Sequence, residues 1–574
     1  MFGKSPPITE AWRGFTFTRR TMVVAGAQMA LGAALAARMA YISIYDNERY
    51  VLESESNRLN LTLIPPRRGW IVDRKGKAIA NNKVSLRIDL IPDRVQDKDA
   101  TVAQLQTLLG LDQDTVQRIQ RDLKDAAGYQ PVAVAENIAE DRYAAVLVRL
   151  PDLPGVAPAR GFARNYPAGA AVGHLTGYVG APNAEEYQAA RNPLYVTPGF
   201  KTGKDALERY FEPFLQGKPG ARRAEVTAGG KIVRELDTQP DVQGQTLHLA
   251  IDADLQEFVA RRMGRESGAA VIIDCETGGI LAFVSMPCFD PNSFSDGIGQ
   301  QEWAWLNGDT DYKPLLNKAT RGLFPPGSTL KPMAALAFLE AGIDPAQRVS
   351  CPGGYRLGNR FFRCLGTHGS VDMPTAIEKS CNTYFYAMAH RLGYDAVAPV
   401  ARALGLGEDF RLSGANQRYG TIPDSAWKQR KYGSAWTASD SLNAIIGQGY
   451  VIVNPLQLAV STARIASGKQ LYPSLIRQKR ELIKPLGYSD AHLDIVRAGM
   501  DRVVNGNGTA VASRLPLDGI AMAGKTGTAQ VRAISGASRG QSGARRFRDH
   551  GLFVCYAPTE NPRYAAAVLV EHGL

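Results

Sequence analysis

Pro325-Pro326-Gly327-Ser328-Thr329-Leu330-Lys331-Pro332 is the stretch on which the reading of this 574-residue chain turns. Two prolines and a glycine stop the preceding segment, so Ser328 opens a helix predicted to run to Ala341 and to end at Gly342. Lys331 follows three residues later, and one helical turn brings its side chain back beside the Ser328 hydroxyl. A hydroxyl with a pKa far above neutral needs a nearby base before it becomes a nucleophile. A lysine serves as that base when burial and neighbouring positive charge lower its pKa. Ser-x-x-Lys alone is a common chance match, and Ser328 then reads as a helix cap.

Two further motifs lie downstream. Ser380-Cys381-Asn382 ends one helical pattern and precedes Thr383-Tyr384-Phe385-Tyr386. There Ser380 offers a proton relay, and Asn382 offers an amide to a substrate carbonyl. Read alone, both are surface polar residues. Lys525-Thr526-Gly527-Thr528 sits on a predicted strand, 520–533. Gly527 lets a substrate backbone approach, Lys525 offers a cation to a carboxylate, and Thr526 and Thr528 offer hydroxyls. Gly519 to Thr526 also matches the phosphate-binding loop pattern formally. That loop must open a helix, whereas Thr528-Ala529-Gln530-Val531 reads as strand, which excludes a nucleotide hydrolase.

The frame around the motifs is α+β. Ala269–Asp274 and Ile280–Ser285 are β-rich runs joined by a turn at Cys275–Gly279, and they open a domain after a boundary near Glu266–Gly268. Helical periodicity follows at 328–341, 374–393, 395–404, 455–467 and 490–503, and strands return at 520–533, 551–557 and 563–571. Strands at both ends of the segment predict one sheet built from both, with helices flanking it. Upstream, Leu61–Pro66 leads into a hairpin over Arg67–Arg74 with its turn at Lys75-Gly76. Helices are predicted at 100–126 and 139–150, and 160–250 mixes short strands with Gly-rich turns.

At the N-terminus, Arg13, Arg19 and Arg20 precede an apolar run from Met22 to Tyr45, long enough to span a bilayer. The basic flank places the tail in the cytoplasm and the remainder outside. A cleaved signal peptide, with small residues at Ala34–Ala37, is the other reading. The expected division is a cytoplasmic tail 1–21, an anchor 22–45, a non-catalytic pedestal 46–265 and a catalytic domain 266–574. Hydrophobic residues make up 45% and charged residues 21% of the chain, an ordinary globular balance. The net charge of +12 is scattered, so no nucleic-acid partner is indicated.

Together the three motifs, in this order in one domain, resemble the penicillin-binding protein and serine β-lactamase superfamily. Arg68-Gly69, Asp73-Arg74, Gly76, Arg164-x-Tyr166-Pro167, His174-x-x-Gly177-Tyr178, Gly203-Lys204, Glu208 and Tyr210 resemble the pedestal of class B penicillin-binding proteins. Arg321–Ser328 and Asn382–Tyr386 are similar to the elongation type, penicillin-binding protein 2; the septal type is the alternative. The resemblance implies a D,D-transpeptidase of peptidoglycan, inhibited by β-lactams, with its catalytic domain in the periplasm and its anchor in the inner membrane. Ser328 attacks the donor stem peptide, Lys331 and Ser380 move protons, and Asn382 orients the donor. Lys525, Thr526, Gly527 and Thr528 bind its carboxylate end, and the N–H groups of Ser328 and Thr528 form the oxyanion hole. It implies no catalytic cofactor. Expected partners are stem peptides, a membrane-embedded glycan polymerase and other elongation-complex proteins. A β-lactam-hydrolysing or sensing enzyme shares the motifs but would not need the pedestal. A catalytically silent scaffold would not need the Ser, Lys and Asn. The family usually adds a C-terminal helix where only Glu571-His572-Gly573-Leu574 follows the last strand, so the sequence is either truncated or covered differently there.

Cys351, Cys364, His368 and Cys381 crowd around the second motif and include three of the six cysteines. Three thiolates and an imidazole suit a closed, structural zinc site. The resemblance adds that some elongation-type relatives hold a metal in this region. A Cys351–Cys364 disulfide in an oxidising compartment, or buried free thiols, are also open to the sequence.

Overall fold

The structure is a computed structural model, and it describes residues 19–41, 59–126, 131–226, 232–478, 482–530 and 545–573. The chain divides into two compact units. The first comprises residues up to Ile64 together with Pro219–Pro240. It contains a helix, Arg19–Ala40, whose Met22–Ala40 part is long and apolar enough to cross a membrane and is not buried against protein. Arg38 lies over the Tyr41 ring, 5.5 Å from its centroid. This apolar helix fits a single-pass anchor. The end of the expected span, 42–45, and the first 18 residues of the expected tail lie outside the described residues. The unit also holds a three-stranded antiparallel sheet of Leu59–Ile64, Gly220–Val226 and Ile232–Gln239, with Gly220–Val226 in the middle.

The second unit comprises Pro65–Lys218 and Asp241–Leu574. Its first part is built on the long strand Ala78–Leu90, paired along its length with Val156–Asn165. The expected 100–126 helix is two helices, Lys98–Leu109 and Gln113–Asp125, because Gly110 takes a left-handed conformation that ends the first. At the base of this part Glu208 is fully buried and accepts from Arg68 (2.6 Å), Arg164 (2.7 Å) and the Tyr166 hydroxyl (3.1 Å). Glu212 accepts from Arg68 as well, at 2.6 Å. Gly69 and Gly203 permit this knot: a Cβ on Gly69 would lie 1.9 Å from the Gln245 carbonyl oxygen, and one on Gly203 would lie 2.1 Å from that of Glu208.

The C-terminal part is organised by a five-stranded antiparallel sheet. Its order is Ile280–Met286, Gly268–Asp274, Tyr564–Val570, His550–Ala557 and Ala523–Ala529, so the two ends of the segment meet in one sheet, as the pattern predicted. Ala523–Ala529 forms an edge and stays a strand through Lys525 and Thr526, so no phosphate-binding turn forms there. The helix Pro455–Ser467 packs against the three central strands and is buried nearly throughout. Every residue from Lys331 to Leu339 in the helix Lys331–Glu340 is also buried, as befits a helix apolar on all faces. That environment makes its one lysine exceptional.

Two local differences from the sequence reading bear on function. Ser328 lies in a short 3₁₀ turn, Gly327–Leu330, that precedes the α-helix. The single helix expected over 374–393 is two helices, Met373–Glu378 and Asn382–Leu392. The break falls on Ser380, whose φ of +54° is left-handed, a conformation that a side chain disfavours and that a helix cannot continue through.

Candidate active site

Ser328 is brought to the sheet edge by glycines. Gly327 has φ +55°, and a Cβ there would lie 2.4 Å from the Thr528 carbonyl oxygen. On its other side Gly327 N–H donates to the Gly447 carbonyl at 3.0 Å, and a Cβ on Gly447 would lie 2.2 Å from the Gly327 oxygen. The serine turn is thus wedged between the Ala523–Ala529 strand and the 447–449 loop with no room for a larger residue. Behind it, Phe324 and Val453 exchange two backbone hydrogen bonds of 2.9 Å. Ser328 itself is half-buried.

Lys331 is fully buried one turn on. Its Nζ donates to the Ser380 carbonyl (2.7 Å) and to Asn382 Oδ1 (2.6 Å), and lies 3.1 Å from Ser380 Oγ. The break at Ser380 therefore has a purpose: it turns a carbonyl and two side chains of the second motif onto the lysine. The hydrogen bonds of Lys331 among the described residues run to that motif rather than to Ser328. Burial pushes the Lys331 ammonium down to about 7, with Cys364 and Cys381 opposing the shift. A neutral amine has two hydrogens and one lone pair. The Ser380 carbonyl and Asn382 Oδ1 only accept, so they take both hydrogens, and the lone pair is left for a hydroxyl. Asn382 Nδ2 is turned to the Arg363 carbonyl at 3.3 Å.

The third motif divides by strand alternation. Lys525 points inward and is fully buried, and its Nζ donates to the Thr526 carbonyl at 3.0 Å. Burial, with the positive charge of Lys331 nearby, holds it well below the ordinary lysine range. Thr526 and Thr528 point to the other side, half-buried and exposed respectively. The Thr528 carbonyl accepts from Gln448 Nε2 at 3.2 Å, on the side away from the neighbouring strand. In an antiparallel ladder a residue's N–H and C=O point to the same side, so the Thr528 N–H also faces the open edge beside Ser328.

The cysteine-histidine group comes together. The ligand atoms of Cys351, Cys364, His368 and Cys381 all lie within 4.8 Å of one another. His368 Nδ1 is 3.5 Å from the sulfurs of Cys351 and Cys364, and Cys364 and Cys381 sulfurs are 3.9 Å apart. All six cysteines are free, so the Cys351–Cys364 disulfide is not formed. The contact between Cys364 and Cys381 drives their pKa values apart, Cys364 down and Cys381 up. Asn382 N–H donates to the Cys364 sulfur at 3.2 Å, which ties the cluster to the second motif.

Sequence reasoning missed Gln448 and Thr509. Gly447-Gln448-Gly449, a side chain between two glycines of positive φ, was the available signal for the first. Thr509 carried none, since its neighbour Thr526 comes from a different element.

The family comparisons agree with this geometry. Residues 268–574 match the family described as the penicillin binding protein transpeptidase domain, and 63–249 match the penicillin-binding protein dimerisation domain. A peptidoglycan D,D-transpeptidase MrdA of Acinetobacter baumannii is 35% identical over 94% of this chain and 82% of its own. A solved Helicobacter pylori penicillin-binding protein, PBP2, in complex with MreC is similar with a TM-score of 0.77 and 28% identity, over 90% of this chain and 95% of that one. A chain of a solved peptidoglycan synthase complex that coordinates polymerization and crosslinking gives a TM-score of 0.68 at 28% identity, over 97% of this chain and 95% of that one. With both parts matched and its relatives aligned almost end to end, the chain belongs to the penicillin-binding protein transpeptidase family.

Proposed function

We propose that this chain is an elongation-type peptidoglycan D,D-transpeptidase that works through a Ser328 acyl-enzyme. The observation that carries the reading is the buried Lys331, held by Ser380 and Asn382 one turn after Ser328 and beside the Lys525–Thr528 strand. Ser328 Oγ attacks the penultimate D-Ala carbonyl of a donor stem peptide, and its proton passes to neutral Lys331 Nζ. The tetrahedral oxyanion lies between the N–H groups of Ser328 and Thr528, each such donor being worth about 3–4 kcal/mol in related chemistry. Ser380 Oγ, in contact with Lys331, relays the proton to the departing D-Ala amine. An amine of a second stem peptide then attacks the ester, returns its proton through the same pair and frees Ser328. Thr526 and Thr528, with Lys525 beneath them, receive the terminal carboxylate. Intact mass after incubation with a labelled penicillin tests this. One adduct, mapped to Ser328 and lost in Ser328→Ala, is expected; an adduct elsewhere would overturn the assignment.

The Cys351, Cys364, His368 and Cys381 group is proposed to hold a structural zinc. Zn–S near 2.3 Å and Zn–N near 2.0 Å set tetrahedral edges of about 3.5–3.8 Å, close to the 3.5 Å from His368 Nδ1 to the Cys351 and Cys364 sulfurs and the 3.9 Å between the Cys364 and Cys381 sulfurs, with all four ligand atoms within 4.8 Å of one another. Four protein ligands leave no position for substrate, so the metal would supply bracing of Ser380–Asn382 and no reacting group. One equivalent of zinc by elemental analysis is expected; metal-free protein with full activity would refute it.

The proposed topology is a cytoplasmic tail, an inner-membrane helix at 22–45, a periplasmic pedestal at 46–265 and a periplasmic catalytic domain at 266–574. The two solved complexes support partners of two kinds, a protein like MreC and a polymerising component of a peptidoglycan synthase complex. Co-purification that survives exchange of both the helix and the pedestal would count against the second.

A further inference from the structure

We infer that Thr509 is a positioning residue for the substrate carboxylate, acting through the Thr526 hydroxyl. The inference rests on the transpeptidase reading and extends it to a loop outside the three motifs. Thr509 Oγ1 and Thr526 Oγ1 are 2.6 Å apart, close enough for a strong hydroxyl–hydroxyl hydrogen bond. Either oxygen can donate when no anion is present. A bound carboxylate removes the choice, because it only accepts. Thr526 must then give its single hydrogen to the carboxylate, and its oxygen is free to accept from Thr509. The Thr509 hydroxyl thus fixes the direction of the Thr526 hydrogen and polarises it toward the anion.

The loop that carries Thr509 is built to hold this contact. Asn505 Nδ2 donates to the Met522 carbonyl at 3.0 Å, anchoring the loop beside the start of the Ala523–Ala529 strand. Asn507 N–H donates to Glu378 Oε1 at 3.0 Å, and Lys379 Nζ donates to the Asn507 carbonyl at 2.5 Å. Glu378 and Lys379 immediately precede Ser380. Gly508 passes so close to the Val503 backbone that a Cβ would lie 2.4 Å from its Cα. The loop therefore ties the second motif to the third, with Thr509 at the point of contact with the third.

The test uses the full chain in detergent and the second-order rate constant of acylation. The variants are Thr509→Val, Thr509→Ser, Thr526→Val and the Thr509→Val/Thr526→Val pair, probed with benzylpenicillin and its methyl ester. Thr509→Val is expected to slow acylation by the free acid about tenfold, the scale of a hydrogen bond feeding a charged group, and to leave the ester rate within about twofold. Thr509→Ser restores the acid rate, and the double variant is no slower than Thr526→Val alone. Equal losses with acid and ester, losses that multiply in the double variant, or a Thr509→Val rate matching wild type would each overturn the inference. A wild-type chain that no penicillin acylates would instead bring down the transpeptidase reading, and this inference with it.

Discussion

The dimerisation domain buries Arg68, Arg164 and Glu208 about as deeply as the transpeptidase domain buries Lys331 and Lys525, yet the two regions hold charge in opposite ways. In the first, two guanidiniums meet two carboxylates. Burial works to neutralise Glu208, but Arg164 and Arg68 outweigh it and hold the carboxyl below its usual range. Burial works against the Arg68 cation too, and Glu208 with Glu212 outweighs it. Glu208 and Arg68 both keep their charge. In the second, no carboxylate hydrogen-bonds either lysine among the described residues; carbonyls, an amide and a hydroxyl do. Burial then prevails, and both amines are pushed toward neutrality. A buried charge with a counter-ion is architecture, whereas a buried cation without one is a base in waiting.

The largest effect should come from emptying the second region. Lys331→Met is expected to slow penicillin acylation about ten-thousand-fold, the scale of losing an essential base, without lowering Tm, since an uncompensated buried amine is removed. A Lys331→Met chain that melts well below wild type would break the contrast. Glu208→Gln should do the reverse. Leaving two buried guanidiniums short of a partner costs about 3–5 kcal/mol of stability, while the protein that stays folded acylates at the wild-type rate. Unfolding and acylation measured on the same preparation check both halves.

Titration sharpens the difference. In the proposed mechanism only neutral Lys331 accepts the Ser328 proton, so acylation should fall as pH drops below about 7, reaching roughly a hundredth of its plateau by pH 5. Glu208 has the opposite sign. Its folded pKa is depressed, so its stabilisation is complete above the unfolded carboxylate range and is lost only as pH falls through the folded value. The Tm difference between wild type and Glu208→Gln should therefore stay constant from pH 8 to 5 while the rate collapses. A rate that is level over that range would contradict a titrating lysine base. The smallest effect expected is that of chelation. Loss of the proposed zinc should lower Tm and slow acylation about tenfold by loosening Ser380 and Asn382. Tm and rate both unchanged by chelation would mean that no metal braces the motif.

Much of the site was legible because its residues sit at short, fixed spacings on single elements. Ser328 and Lys331 share one turn, Ser380 and Asn382 share one helix junction, and Lys525 to Thr528 share one strand. The sheet was legible as well, since period-2 apolar runs at both ends of the segment have to pair somewhere. The left-handed break at Ser380 was not. The helical periodicity over 374–393 continues on both sides of Ser380-Cys381-Asn382, and nothing local demands a left-handed break there. It is imposed by the need to satisfy the buried Lys331 with Ser380 and Asn382.

The order of the motifs, the α+β class and the apolar helix could all be read from the residues, because they follow from periodicity and from groups close along the chain. Folding in three dimensions settled the rest. It set which way Lys331 turns, and it placed Lys525 beneath its strand with Thr526 and Thr528 outward. It also made four sulfur and nitrogen atoms converge and brought Thr509 to Thr526. Each of these depends on distances between elements far apart in sequence. Such distances are set by how the glycines at 327, 447, 508 and 527 let backbones close on one another, and no local pattern records a closeness of that kind.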